Sequence, residues 1–230
     1  MGPVTHCLFD MDGLLLDTES FYTVVQQEIL SKYGKTFTWE LKAKMMGKKA
    51  LDAAKILVDE LDLSESLTPE EFVAMREQRL DEMFPTSQLL PGVERLILHL
   101  HSSSIPIAVA TSSHRRHFDM KTTMHKELFS VFDHIVTGDM VLNGKPDPEI
   151  FQVCASKFKN PPAAPGCCLV FEDAPTGVAA GKSAGMQVVM VPDSRLDPSL
   201  SRQADVVLKS LEDFAPEEFS LPTFASSHAA

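Results

Sequence analysis

Asp10 and Asp12 stand one residue apart at the end of the apolar run Cys7, Leu8 and Phe9, and Gly13 follows them directly. Residues i and i+2 of an extended segment point to the same side, so these two carboxylates can converge on one reacting atom. Further reactive groups close other segments of the chain. The run Ile105 to Ala110 ends in Thr111, Ser112 and Ser113, the run Cys168 to Phe171 ends in Glu172 and Asp173, and Lys145 follows Gly144 in a polar loop. Phosphoryl transfer needs a nucleophile, compensation of its charge, donors for the phosphoryl oxygens and a proton donor for the leaving group. Each residue taken alone has an ordinary reading as a solvated acid, an exposed lysine or a helix cap. Their joint occurrence at the ends of apolar runs carries the chemical reading.

The elements that must position these groups follow from periodicity. Short continuous apolar runs bounded by turn residues are buried parallel strands, here around Cys7–Phe9, 105–110, 134–137, 168–171 and 187–191, with a last one near 205–208. Helical spacing separates them, through Val93, Leu96, Ile97 and Leu100, through a polar and basic stretch from His114 to Leu128, and through Ile150, Phe151 and Val153. A glycine-spaced helix carries Gly177, Gly181 and Gly185 on one face, and close helix packing explains it better than a phosphate cradle. This alternation predicts an α/β fold with a doubly wound, mainly parallel sheet and right-handed crossovers, which brings all the strand ends to one edge.

Between the first strand and the next α/β element the chain reads only as helices, with a strong start signal at Thr68, Pro69, Glu70 and Glu71. That length exceeds an ordinary crossover. It predicts an inserted helical cap over residues 19–87, a core built from 1–18 and 88–224, and a disordered tail at 225–230. In the cap, Gly47, Lys48 and Lys49 interrupt a helical pattern, so Lys48 and Lys49 are candidates for substrate selection as well as for a solvated helix end.

Composition narrows the partners. The 230 residues carry a formal net charge of -11, which argues against a reader of the nucleic-acid backbone and leaves small substrates open. Cys7, Cys154, Cys167 and Cys168 lack zinc-site spacing and suit a reducing compartment. The chain starts almost at once on its first strand, and no apolar run reaches the ~18 residues of a membrane span. A cytoplasmic monomer without a membrane partner is expected.

The stretches DMDGLLLDTE, the strand ending in TSS, GKPDPEIF and VFEDAPTGVAAGKSAG occur in that order and together resemble the haloacid dehalogenase superfamily. The resemblance runs from Cys7 to about Pro192 and implies a Rossmann-like core, with the insertion as a small helical cap. It implies Asp10 as the nucleophile forming an aspartyl phosphate and Asp12 as the general acid and base. Thr111, Ser112 and Lys145 would bind the phosphoryl group. A Mg2+ site is implied at Asp10, Asp173, Glu172 and the backbone carbonyl of Asp12. Asp12 also favours phosphate monoesters, because relatives that cleave carbon–halogen bonds lack this second acid. FDMDGLLLDTE, LKAKMMGKKA, FPTSQLLPG and VMVPDSRLD most resemble plant-type glycerol-3-phosphate phosphatases and pseudouridine-5'-phosphatases. Met140 departs from the pattern, since relatives often carry a second acid after Asp139. A small phosphorylated metabolite is therefore the expected substrate. A phosphosugar mutase and a catalytically silent metabolite-binding module are the competing readings.

Overall fold

The computed structural model of the protein describes residues 2–45 and 50–224. The chain forms two compact units, one of Met1–Asp17 with Gln88–Ala230 and one of Thr18–Ser87. In chain order the main elements are β1 (His6–Phe9), α1 (Glu19–Ser31), α2 (Trp39–Met45), α3 (Ala50–Glu60), α4 (Pro69–Met83), α5 (Val93–Ser102) and β2 (Ile107–Ala110). They continue with α6 (Arg115–Lys121), α7 (Lys126–Phe129), β3 (His134–Val136), α8 (Glu149–Ser156), β4 (Cys168–Glu172), α9 (Pro175–Ser183), β5 (Gln187–Met190) and β6 (Val206–Val207). The tail expected at 225–230 lies outside the described residues.

The larger unit is built on a sheet of order β3-β2-β1-β4-β5-β6, with every pairing parallel. Its central strands read as unbroken apolar runs because both faces are covered. On one face Cys7, Phe9, Ile107, Val109, Leu169 and Phe171 pack with Leu96, Ile97 and Leu100 of α5. On the other, Leu8, Ala108, Ala110, Val170 and Val188 pack with Ile150 and Phe151 of α8 and Val178 of α9. Strand order reverses at β1, with β2 on one side and β4 on the other, and such switch points open a crevice beyond the strands' carboxyl ends.

The first turn beyond that edge depends on Gly13. Its φ of 76° lies in the left-handed region that a side chain disfavours. The turn closes when Gly13 N donates to Leu16 O at 2.9 Å and Leu15 N to Met11 O at 3.0 Å. Asp12 is thereby folded back beside the sheet edge instead of running out into solvent.

The Thr18–Ser87 unit is helical. Thr68 and Glu71 form a reciprocal cap at the start of α4, with Glu71 N donating to Thr68 Oγ1 at 3.2 Å and Thr68 N to Glu71 Oε2 at 2.9 Å. Phe72, Arg76 and Leu80 recur every fourth residue on its buried face.

Some local readings are corrected. The second strand starts at Ile107 instead of Ile105. The helical stretch from His114 breaks after Lys121, where the hydroxyls of Thr122 and Thr123 donate back to Phe118 O and Asp119 O and compete with the helical ladder. Gly185 does not share a helix face with Gly177 and Gly181. It follows the end of α9 at φ 77°, a left-handed helix stop.

Phe9 ties the central strand to the core immediately before Asp10. It is wholly buried and stacks on Phe171 with ring centroids 4.5 Å apart. Phe9→Ala should lower unfolding stability by about 3–5 kcal/mol, measured by urea titration.

Candidate active site

The carboxyl ends of β1 and β4 place two acids side by side. Phe9 pairs with Phe171, and Asp10 N donates to Phe171 O at 3.0 Å, so Asp10 and Glu172 leave the sheet at one level. Both are buried, with 6% and 1% of their surface exposed. Lys145 reconciles them. Its Nζ donates to Asp10 Oδ1 at 2.6 Å, to Glu172 Oε1 at 2.6 Å and to Ala110 O at 3.1 Å. Burial opposes the Lys145 ammonium, but the charges of Asp10 and Glu172 outweigh it and raise its pKa. Burial also pushes the Asp10 carboxyl up to about 7, against the pull of Lys145 and with the repulsion of Glu172 and Asp12 added.

Asp12 sits in a separate set of bonds. Lys121 Nζ donates to Asp12 Oδ1 at 2.6 Å, and Ser113 Oγ donates to Asp12 Oδ2 at 2.8 Å. Thr111 Oγ1 donates more weakly to the same oxygen at 3.4 Å and accepts from Ser113 N at 3.0 Å. The two aspartates that begin the site are thus handled by different lysines.

Glu172 has a second duty. Its Oε2 accepts from Asp173 N at 3.0 Å and from Ala174 N at 3.1 Å, which fixes the turn from β4 into α9 and sets where Asp173 stands. The space for this carboxylate exists because residue 177 is glycine, where a Cβ would overlap the Glu172 carboxyl group. Gly181 instead allows close packing on the sheet, where a Cβ would come within 2.8 Å of Val188 Cγ2.

Asp10, Glu172 and Asp173 each offer a carboxylate oxygen within 4.8 Å of the others. Mg2+ holds oxygens at about 2.1 Å, so opposed ligands lie about 4.2 Å apart and small side-chain rotations suffice. Charge also fits a dication. Asp12 pairs with Lys121, Asp10 and Glu172 share Lys145, and Asp173 brings a further carboxylate beside those two. Glu172 already accepts on both oxygens, from Lys145 and from the backbone of Asp173 and Ala174.

Of the residues expected at the site, Asp10, Asp12, Thr111, Lys145, Glu172 and Asp173 gather at the edge formed by β1, β2 and β4. Ser112 is exposed, and Ser113 is the serine that reaches Asp12. Lys48 and Lys49 lie outside the described residues. Asp139 turns to α6, accepting from Arg115 N at 3.1 Å, while Met140 Sδ accepts from Thr137 N at 3.5 Å.

Lys121 escapes a reading based on strand ends, and Ser113 closes the second strand without being assigned a role by it, yet both carry a signal. Lys121 lies three residues after the buried Phe118 and so on the inward face of α6, a place where lysine is unusual. Ser113 shares a side with Thr111 by the same i, i+2 rule that pairs Asp10 with Asp12.

This arrangement of acids, lysines and hydroxyls at the switch point of a parallel sheet has the groups that phosphoryl transfer requires. Residues 7–191 match the haloacid dehalogenase-like hydrolase family, and the chain belongs to it. It is 57% identical over 229 residues to the Arabidopsis thaliana protein named (DL)-glycerol-3-phosphatase 1, mitochondrial, covering 99% of this chain and 77% of the relative. It is 49% identical over 224 residues to a Drosophila melanogaster protein named probable pseudouridine-5'-phosphatase, covering 96% of each. Among solved structures, a HAD family hydrolase from Deinococcus radiodurans R1 with bound phosphate and sodium superposes with a TM-score of 0.76 at 25% identity, covering 92% of this chain and 93% of that one.

Gly177→Ala should displace the Glu172 carboxylate and with it the Asp173 turn. Mg2+ affinity should weaken by about 10–100-fold, read by isothermal titration calorimetry.

Proposed function

We propose that this chain is a Mg2+-dependent phosphatase that hydrolyses a small phosphate monoester through an aspartyl phosphate on Asp10, with glycerol 3-phosphate as its substrate. The observation that carries the reaction is the division of the two aspartates: Asp10 lies with Glu172, Asp173 and Lys145, while Asp12 is bonded to Lys121 and Ser113. Asp10 attacks phosphorus, the bond to the ester oxygen breaks, and the departing alkoxide takes the proton from Asp12, which enters this step as the protonated acid. Water then attacks the aspartyl phosphate and gives its proton to Asp12, and cleavage of the bond to Asp10 releases phosphate and restores both residues.

Lys145 supports this by offsetting the charge of Asp10 and offering an ammonium where a phosphoryl group would approach. Asp10 and Asp173, with Glu172 beside them, are the side chains that would hold Mg2+, joined by the backbone carbonyl of Asp12. A bound Mg2+ would neutralise the carboxylates and the phosphoryl oxygens and favour the ionised form of Asp10.

The choice of glycerol 3-phosphate rests on the 57% identical relative, and pseudouridine 5'-phosphate on the 49% identical one. The free thiols of Cys7, Cys154, Cys167 and Cys168 support a reducing compartment such as the cytoplasm. Among the described residues no helix is long and apolar enough to cross a membrane.

A phosphate-release screen with Mg2+ over glycerol 3-phosphate, pseudouridine 5'-phosphate, other nucleotides and hexose phosphates tests the reading. Glycerol 3-phosphate should give the highest kcat/KM. Conversion of a hexose 1-phosphate to its isomer without free phosphate would instead identify a mutase. Asp10→Asn should cut turnover by at least about 10³-fold with the fold intact by circular dichroism, and chelation of Mg2+ should abolish release until the ion is restored.

A further inference from the structure

Asp12 must perform two opposite proton transfers in this cycle, so the direction of its carboxylate is part of the chemistry. A closed ring of bonds holds that group. Lys121 Nζ donates to Asp12 Oδ1 at 2.6 Å and to Ser113 Oγ at 2.9 Å, and Ser113 Oγ donates its own proton to Asp12 Oδ2 at 2.8 Å. Both carboxylate oxygens accept a bond, so rotation about the side-chain torsions is opposed from two directions. The Lys121 side chain is 0% exposed, whereas that of Asp12 is 21% exposed. Lys121 therefore cannot meet a substrate arriving from solvent, and its charge is felt through Asp12.

A buried lysine is a poor device for stability alone. An apolar side chain three residues after Phe118 would pack on the same inward face without the cost of desolvating an ammonium. Its presence is explained if a defined orientation of Asp12 matters.

Resting on the phosphatase reading, we propose that Lys121 and Ser113 are positioning residues that hold the Asp12 carboxyl group in the direction in which its acid form passes a proton to an alkoxide leaving group. The residues act through Asp12 and not on the phosphoryl group. Their importance should therefore depend on the leaving group. An alkyl phosphate needs the proton, while p-nitrophenyl phosphate releases a phenolate that is stable without it.

The test compares the wild-type protein with Lys121→Met, Ser113→Ala and Asp12→Asn, each loaded with Mg2+. For Lys121→Met, kcat on glycerol 3-phosphate should fall about 10²-fold, with KM changed less than about threefold. The rate of the pre-steady-state p-nitrophenolate burst should fall less than about fivefold. Ser113→Ala removes only a hydroxyl and should show the same split at about tenfold, which keeps the test intact if Lys121→Met does not fold. In an Asp12→Asn background, either substitution should add no further loss.

Equal losses on the two esters, or losses that multiply with that of Asp12→Asn, would overturn the positioning role and mark Lys121 as a structural or phosphoryl-binding group. Failure of the wild-type protein to release phosphate from either ester would overturn the phosphatase reading itself, and this proposal with it.

Discussion

Two carboxylates buried side by side at the end of a sheet repel one another and lose their hydration, and only a cation between them makes the arrangement tenable. Lys145 is that cation. By bonding Asp10 and Glu172 at 2.6 Å each, it joins the end of β1 to the end of β4 across the switch point. The remaining geometry follows from this bridge. Glu172, turned toward Lys145 with one oxygen, uses the other to fix the backbone of Asp173 and Ala174. Gly177 leaves the room for it to do so. A glycine on a helix, a lysine in a loop and two strand ends are thus parts of one electrostatic arrangement.

The same physics is repeated a few ångströms along the chain with a different outcome. Lys121 and Ser113 bond Asp12, but here the carboxylate stays partly open to solvent while the ammonium is sealed. Asp10 is enclosed among acids and suits attack and cation binding, whereas Asp12 is held by donors and suits proton transfer. Two aspartates one residue apart meet different neighbours, and differing environments are how identical groups can be divided between acid and base work.

The chain belongs to the haloacid dehalogenase-like hydrolases and has high identity to relatives named as phosphatases. The residues at the sheet edge supply the acids, ammonium groups and hydroxyls that phosphoryl transfer requires.

Much of this was legible in the residues themselves. Unbroken apolar runs ending in acids announce parallel strands buried on both faces, because a strand with one solvated face would alternate. Parallel strands must deliver their ends to one edge, so Asp10, Asp12, Thr111, Glu172 and Asp173 could be collected before any coordinates, and the all-helical stretch after the first strand was too long for a crossover. Tertiary structure alone decided which lysine serves which aspartate, that Ser113 and not Ser112 turns toward Asp12, and that Gly177 belongs to the site while Gly185 ends a helix. The reason is physical. Strand periodicity is a local property of the chain, but the partner of a buried charge is whichever opposite group the packing of distant elements brings within about 3 Å, and that distance is not written in any local pattern. The sequence determined that Asp10 and Asp12 would sit together at an edge, and the fold determined which partners each would meet there.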